Sequence, residues 1–249
     1  MILLNPKYEH LRSFIECIPS KMDTEGTYIY GGRRNLIKLF VAPDGTPLNV
    51  KRFHEPHFLN RYIYSWGWRI PKGMRAWTYP KILREKGIET PEEVAYVEER
   101  HHGLLGLSYF ISIQCPYPHR LYEVALNKDA SYDDLAVALG SFTAQMHERE
   151  VMHRDFSPGN ILWDVLKDGY HFSLVDINRM YFGPVTIEQG CANFVRLWGD
   201  KHFFTLLAQA YAKGRGANEE DCVRMVLKER ARFWKKYLRN HEVDFAPDL

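Results

Sequence analysis

The chain is short of cysteine, of long apolar runs and of any surplus of charge, and each shortage removes a class of protein. Its four cysteines, Cys17, Cys115, Cys191 and Cys222, lie far apart, with no Cys-x-x-Cys pair and no metal-ligand spacing to histidine. That argues against a dense disulfide framework or a local zinc site and predicts a reduced, cytosolic chain with incidental thiols. No run approaches the eighteen or so apolar residues of a membrane span. Met1-Ile2-Leu3-Leu4 is cut off by Asn5-Pro6-Lys7 before a signal core could form. The expectation is a soluble protein, at most attached to a membrane surface. A net charge of +2 gives no general affinity for nucleic acid, so none is expected as a partner. No Gly-x4-Gly-Lys-Ser/Thr occurs, which removes the P-loop folds, and no repeat or low-complexity segment is present. What remains is ordinary globular composition, 45% apolar and 26% charged, in a 249-residue chain that can bury a full core as one large domain or two lobes.

Against this background one stretch is distinctive: His153-Arg154-Asp155-Phe156-Ser157-Pro158-Gly159-Asn160. It reads as the catalytic loop of a kinase-like phosphotransferase. An Asp and an Asn five residues apart, on a loop held by Pro-Gly, suit two jobs in phosphoryl transfer. Asp155 would orient the acceptor hydroxyl and take its proton, and Asn160 would supply an amide oxygen to magnesium. A dozen residues after Asn160 begins the apolar run Phe172-Ser173-Leu174-Val175, which ends in Asp176. An acid at the end of a buried strand just past the loop is where such enzymes keep their second metal ligand. The plainer assignment makes Asp155 a helix cap, Asn160 a turn residue and Asp176 a strand end, and needs three coincidences at once.

The flanking pattern agrees with a two-lobed α+β chain. Tyr8, Leu11, Phe14, Ile15 and Ile18 follow helical spacing, with Pro19 stopping the pattern. Three short strands are expected at Thr27–Tyr30, Leu36–Val41 and Leu48–Phe53, separated by Gly31-Gly32 and by Pro43-Asp44-Gly45. Lys51 on the third is placed to pair with the α- and β-phosphates of ATP. Pro56 to Gly73 is rich in aromatics and shows no clear period. A helix from Met74 to Lys86 follows, then two strands, Glu93–Glu99 and Leu105–Gln114, joined by an Arg100-His101-His102-Gly103 tip. Pro116 and Pro118 end the sheet pattern, so the lobe boundary falls near Gln114-Cys115: 1–114 as a nucleotide-binding lobe with an N-terminal helix, 115–249 as a catalytic lobe. Gln114 and Cys115 are accordingly candidate nucleotide contacts. Beyond them Tyr132–Arg149 reads as a helix capped by Ser131, and 187–212 and 218–240 as further helices.

With these residues in place, the chain resembles the bacterial lipopolysaccharide kinases, the Kdo/heptose kinase group of the protein-kinase-like superfamily. The resemblance rests on Val50-Lys51-Arg52-Phe53, Gly87-Ile88-Glu89-Thr90-Pro91, the loop above and Val175-Asp176-Ile177-Asn178-Arg179. It implies a small antiparallel-sheet lobe and a mainly helical one with ATP in the cleft, magnesium as cofactor, and transfer of the γ-phosphate to a sugar hydroxyl of a lipid-linked core oligosaccharide. Asp155 and Lys51 would be catalytic, Asn160 and Asp176 would hold the metal, and Gly31, Gly32 and Arg33 (or Arg34) would cover the phosphates without a Gly-x-Gly-x-x-Gly. Thr78 falls where a lysine-pairing glutamate is expected, with Glu85 a couple of turns later. The segment after Asp176 lacks Ala-Pro-Glu and is short, which favours a glycan over a peptide acceptor. An atypical protein kinase and a nucleotide-binding pseudokinase are the alternatives.

The last helix carries its own expectation. Phe233, Trp234, Tyr237 and Leu238 lie at the spacing of a buried stripe, while Arg232, Lys235, Lys236 and Arg239 suit contact with the anionic inner leaflet of a membrane.

Overall fold

The computed structural model describes residues 1–32, 35–127, 131–245 and 247–248, and divides into two compact units, Met1–Pro116 and Tyr117–Leu249. Arg33 and Arg34 lie outside the described residues.

The first unit is built on one antiparallel sheet. Its elements are β1 (Ile2–Leu4), a 3-10 turn (Pro6–Leu11), α1 (Arg12–Lys21), β2 (Thr27–Gly31), β3 (Asn35–Val41), β4 (Pro47–Phe53), α2 (Phe58–Ser65), α3 (Lys72–Glu85), β5 (Glu93–His101) and β6 (Leu104–Ile113). The sheet order is β1-β5-β6-β4-β3-β2. The expected strands are present, and β1 is an addition: three apolar residues recruited as an edge on β5, too short to announce themselves by alternation. β5 and β6 meet in a tight hairpin whose two central residues, His102 and Gly103, both have positive φ, 52° and 80°. Such a turn matches the right-handed twist of the strands it joins. Helix α1 runs through Pro19 to Lys21 instead of stopping there. The proline forfeits the backbone bond its N–H would have made to the carbonyl four residues back, and the buried side chains Ile15, Ile18 and Met22 offset that loss by holding the turn against the sheet core of Leu48, Val50, Val94 and Ile111.

The second unit contains β7 (His119–Arg120), α4 (Glu123–Leu126), α5 (Asp133–Glu148), β8 (Val151–His153), β9 (Ile161–Leu166), β10 (Gly169–Leu174), β11 (Met180–Phe182), α6 (Ile187–Asn193), α7 (Lys201–Arg215) and α8 (Glu219–Tyr237). Helix α5 packs along α7, burying Leu135, Leu139 and Met146 against Phe203, Phe204, Leu207 and Tyr211. Its N-cap is Tyr132, with no side-chain cap, so Ser131 does not hold that role; Asp133 and Asp134 in the first turn offset the helix dipole instead. The expected helix over 187–212 is two helices, because the chain turns at Gly199 and restarts with Asp200 accepting the Phe203 N–H at 2.7 Å. In α8, Trp234 is buried and Phe233 and Tyr237 half-buried, as the stripe predicts, while Leu238 is exposed at the frayed end. Arg232, Lys235, Lys236 and Arg239 are all exposed. Among the described residues, no helix is long and apolar enough to cross a membrane.

Candidate active site

Two short antiparallel ladders assemble the distinctive residues of the second unit. In the hairpin of β9 and β10 the register pairs Ile161 with Leu174, so Asn160 and Val175 face each other at its open end, closed by a Val175 N–H to Asn160 carbonyl bond of 3.0 Å. In the pair of β8 and β11 the register sets His153 opposite Met180, and one residue further the Arg154 N–H donates to the Arg179 carbonyl at 3.4 Å. Residues 154–160 are thereby held beside residues 175–179. Asp155, Asn160 and Asp176 are brought together although the last is 21 residues from the first.

His153 fastens the two segments from beneath. It is completely buried, and its Nε2 lies 3.1 Å from the Val175 carbonyl while its Nδ1 lies 3.1 Å from the Asp155 N–H. A carbonyl can only accept and a backbone N–H can only donate, so the imidazole is neutral with its proton on Nε2. Burial pushes its pKa down and keeps it in that form. Asn193, at the end of α6, donates to the His153 carbonyl at 3.0 Å and ties the helices to the same point.

The side chains around this anchor are oriented by their neighbours. The Asn160 amide nitrogen donates to the Asp155 carbonyl at 2.8 Å, which fixes the amide flip and leaves its oxygen as the outward acceptor. Asp176 has a left-handed backbone, φ 53° and ψ 40°, and its carboxylate accepts from the amide of buried Asn178. The Asp155 carboxylate stands between two guanidinium groups: Arg179 Nη1 is 3.5 Å from one oxygen and Arg196 Nη1 is 3.6 Å from the other. These are long, half-exposed pairs, weak in energy. Arg196 is propped over the ring of Phe233 of α8, 5.6 Å from its centroid. The loop itself passes close to the chain after β7. A side chain on Gly159 would place its Cβ 2.9 Å from the Tyr122 hydroxyl, so only glycine fits there without a shift. The Leu121 N–H reaches the Pro158 carbonyl at 3.3 Å.

An amide oxygen and a carboxylate are hard oxygen donors. Two such ligands suit magnesium, which keeps several waters and takes phosphate oxygens from its substrate. Among the described residues no group of three or more His, Cys, Asp or Glu side chains could hold a metal, so an all-protein metal cage of those ligands is not offered.

In the first unit Lys51 is buried on β4, between β3 and β6, where it lies opposite Ile37 and Phe110. Its ammonium sits 5.2 Å from the centroid of the Phe53 ring. Gly31 ends β2, and the Gly32 N–H donates to the carbonyl of Asn35, the first residue of β3, at 3.0 Å. Gln114 leaves β6 with its side chain accepting from Asn49 at 2.8 Å and donating to the Cys115 carbonyl at 3.3 Å. Thr78 lies exposed on α3 with its hydroxyl turned to the Met74 and Arg75 carbonyls, and Glu85, in the last turn of that helix, lies 4.0 Å from Lys81.

Sequence reading missed Arg196, Asn178 and Asn193. Asn178 had a signal, since a polar residue two positions after a metal-ligand candidate can reach back to it. Arg196 and Asn193 had none: only the folding of α6 against β8 brings them in.

Comparisons with known proteins bear on the family and the fold. Residues 45–181 match the model of the lipopolysaccharide kinase (Kdo/WaaP) family. No curated protein matches the chain by sequence. Among solved structures, the chain is similar to WaaP in complex with acyl carrier protein, at 14% identity and TM-score 0.64, covering 97% of this chain and 100% of that one. It is similar to the Rio2 kinase–ADP/Mg2+-phosphoaspartate complex from Chaetomium thermophilum, at 15% identity and TM-score 0.53, covering 96% and 78%. The amicoumacin kinase hAmiN, in complex with AMP-PNP, Ca2+ and Ami, aligns at 11% identity and TM-score 0.54, covering 96% and 90%. At these identities the structures establish the protein-kinase-like fold, and the family model goes further because it spans more than half of the chain, from the strand of Lys51 through the loop of Asp155 to Asp176 and Arg179. The chain belongs to the lipopolysaccharide kinase (Kdo/WaaP) family and is a phosphotransferase with a sugar hydroxyl as acceptor.

Proposed function

We propose that the protein transfers the γ-phosphate of ATP to a hydroxyl of a Kdo or heptose residue in the lipid-linked core of lipopolysaccharide. The observation that carries this reading is the gathering of Asp155, Asn160 and Asp176 around buried His153 by two short ladders. Asp155 aims the acceptor hydroxyl at the phosphorus and accepts its proton late in a loose transition state. Its carboxylate is flanked and directed by Arg179 and Arg196. Asn160 and Asp176 hold magnesium, which when bound neutralises charge on the phosphate oxygens. Lys51 pairs with the α- and β-phosphates, the turn of Gly31, Gly32 and Arg33 covers them, and Gln114 and Cys115 contact the nucleotide. In this reading residues 1–114 bind nucleotide and 115–249 carry the catalytic groups. Nucleotide and divalent metal are supported by the named contents of the similar kinase structures, ADP with Mg2+ and AMP-PNP with Ca2+. A glycan acceptor is supported by the short run between Asp176 and α6. The exposed basic residues of α8 would contact the anionic inner leaflet.

A labelled-ATP assay offering Kdo-bearing lipid A precursor beside a generic protein substrate tests the proposal. Label is expected on the sugar lipid and to require magnesium. Label on protein alone, or none on either, overturns it.

A further inference from the structure

The aromatic stretch without a period, Pro56 to Gly73, takes no part in the chemistry above, and the structure gives it a definite form. Helix α2 is fixed to the sheet from one side: Tyr64 is buried, the Arg61 guanidinium donates to the Leu105 carbonyl at 2.8 Å, and the Leu105 N–H donates to the Ser65 hydroxyl at 2.8 Å. The chain then reverses at Gly67, whose φ of 78° lies in the left-handed region, with the Trp68 N–H returning to the Ile63 carbonyl at 3.1 Å. The turn and the helix before it present apolar side chains outward: Leu59 of α2 is 75% exposed, and beyond the helix Trp66 is 63%, Trp68 77% and Ile70 55%. Trp66 is met edge-on by Trp68 and at a tilt by Tyr62, with ring centroids 5.7 and 5.5 Å away.

Scattered exposed apolar residues are normal, but two tryptophans in ring contact, with an exposed isoleucine two residues on and an exposed leucine on the preceding helix, are not. Along the chain, the segment that carries it has charge of one sign only. From Pro56 to Arg84 there is no Asp or Glu, whereas Arg61, Arg69, Lys72, Arg75, Lys81 and Arg84 fall in the same interval. Arg61, Lys81 and Arg84 are paired with Glu55, Glu85 and Glu93, and Arg69 stands exposed between Trp68 and Ile70. Lys72 and Arg75 follow in the first turn of α3. Exposed tryptophans with aliphatic residues, in a segment whose own charges are all arginine and lysine, are the chemistry of the boundary between lipid headgroups and acyl chains.

We infer that the Trp66–Ile70 turn is a membrane-interface anchor that inserts its apolar tip into an anionic bilayer surface. The proposal rests on the lipid-linked acceptor and extends that reading to residues of the first unit. A fixed turn suits this use, because a preordered tip loses little conformational entropy on insertion.

Full-length protein, a Trp66→Ser/Trp68→Ser variant, an Ile70→Glu variant and a variant with Arg232, Lys235, Lys236 and Arg239 changed to Gln would be compared by vesicle co-sedimentation. The vesicles are phosphatidylethanolamine with phosphatidylglycerol, against pure phosphatidylcholine, each also prepared with brominated acyl chains. The unaltered protein is expected to bind the anionic vesicles with tryptophan emission quenched by bromine. Both tip variants are expected to bind at least about tenfold more weakly, with unchanged circular dichroism and unchanged phosphorylation of a soluble sugar fragment. Wild-type failure to bind, binding without bromine quenching, or tip variants that bind as well as wild type would overturn the inference. So would a patch that joins two copies or a protein partner while leaving vesicles alone. Vesicle binding by the tip in a protein that phosphorylates no sugar lipid would leave the anchor standing and defeat the functional reading instead.

Discussion

The His153 imidazole accepts the backbone N–H of Asp155 at 3.1 Å while donating to the carbonyl of Val175, the residue before Asp176. One uncharged ring thus ties the backbone of Asp155 to that of the residue preceding Asp176. Protonation would put a hydrogen on Nδ1 where the Asp155 N–H must sit.

That relationship makes stability pH-dependent with a definite sign. Burial lowers the pKa of His153 and pushes that of His147 from 6.5 down to about 4, with Arg215 adding to the effect on His147. Below 6.5 the unfolded chain takes up protons that the folded one refuses, so stability is full above about 6.5 and falls as the pH drops toward 4. His147 alone accounts for about 3 kcal/mol across that window. Urea midpoints measured from pH 7 to pH 4 should decline, and His147→Gln should flatten the slope while lowering the plateau. A slope unchanged in the variant would show that His147 is not its source.

Asp155→Asn should retain nucleotide binding but lose transfer about 1000-fold, because an amide can neither accept the proton nor hold the same charge. Single-turnover rates with the sugar acceptor provide the measurement, and a loss of less than about tenfold would remove Asp155 from the chemistry.

Asp176→Ala should weaken magnesium–ATP binding more than metal-free ATP binding. Asn178→Ala should reproduce part of that selective loss, since Asn178 only orients the Asp176 carboxylate. Calorimetric titrations with and without magnesium separate the two effects, and equal losses in both conditions would show that these residues do not act through the metal.

Arg196→Gln should lower kcat by about three- to tenfold with ATP affinity unchanged, and Arg196→Lys should restore part of it. Because Arg179 and Arg196 address the two oxygens of one carboxylate, their effects on kcat should be non-additive in a double-mutant cycle. Strict additivity would mean that they do not share Asp155 as a target.

Much of this was legible in the sequence for a local reason. The strands from β2 to β6, the helix of α5 and the Asp155-to-Asn160 spacing are written in alternation, helical period and turn residues that act within a few positions of one another. Misreadings arose where tertiary burial overrode a local rule: Pro19 stays inside α1 because Ile15, Ile18 and Met22 are packed, and three apolar residues at Ile2–Leu4 become a strand because β5 offers an edge.

By itself, then, the sequence determined the candidate residues and their local spacing, since phosphoryl transfer demands particular side chains and the loop fixes how far apart they stand in the chain. The tertiary structure alone decided how they meet. The registers of β9 with β10 and β8 with β11, the burial that keeps His153 neutral, and the approach of Arg196 to Asp155 depend on pairings between segments far apart in the chain. The same holds for the exposure of Trp66 and Trp68, for aromatic residues look alike in a sequence whether they fill a core or face solvent, and only packing assigns them.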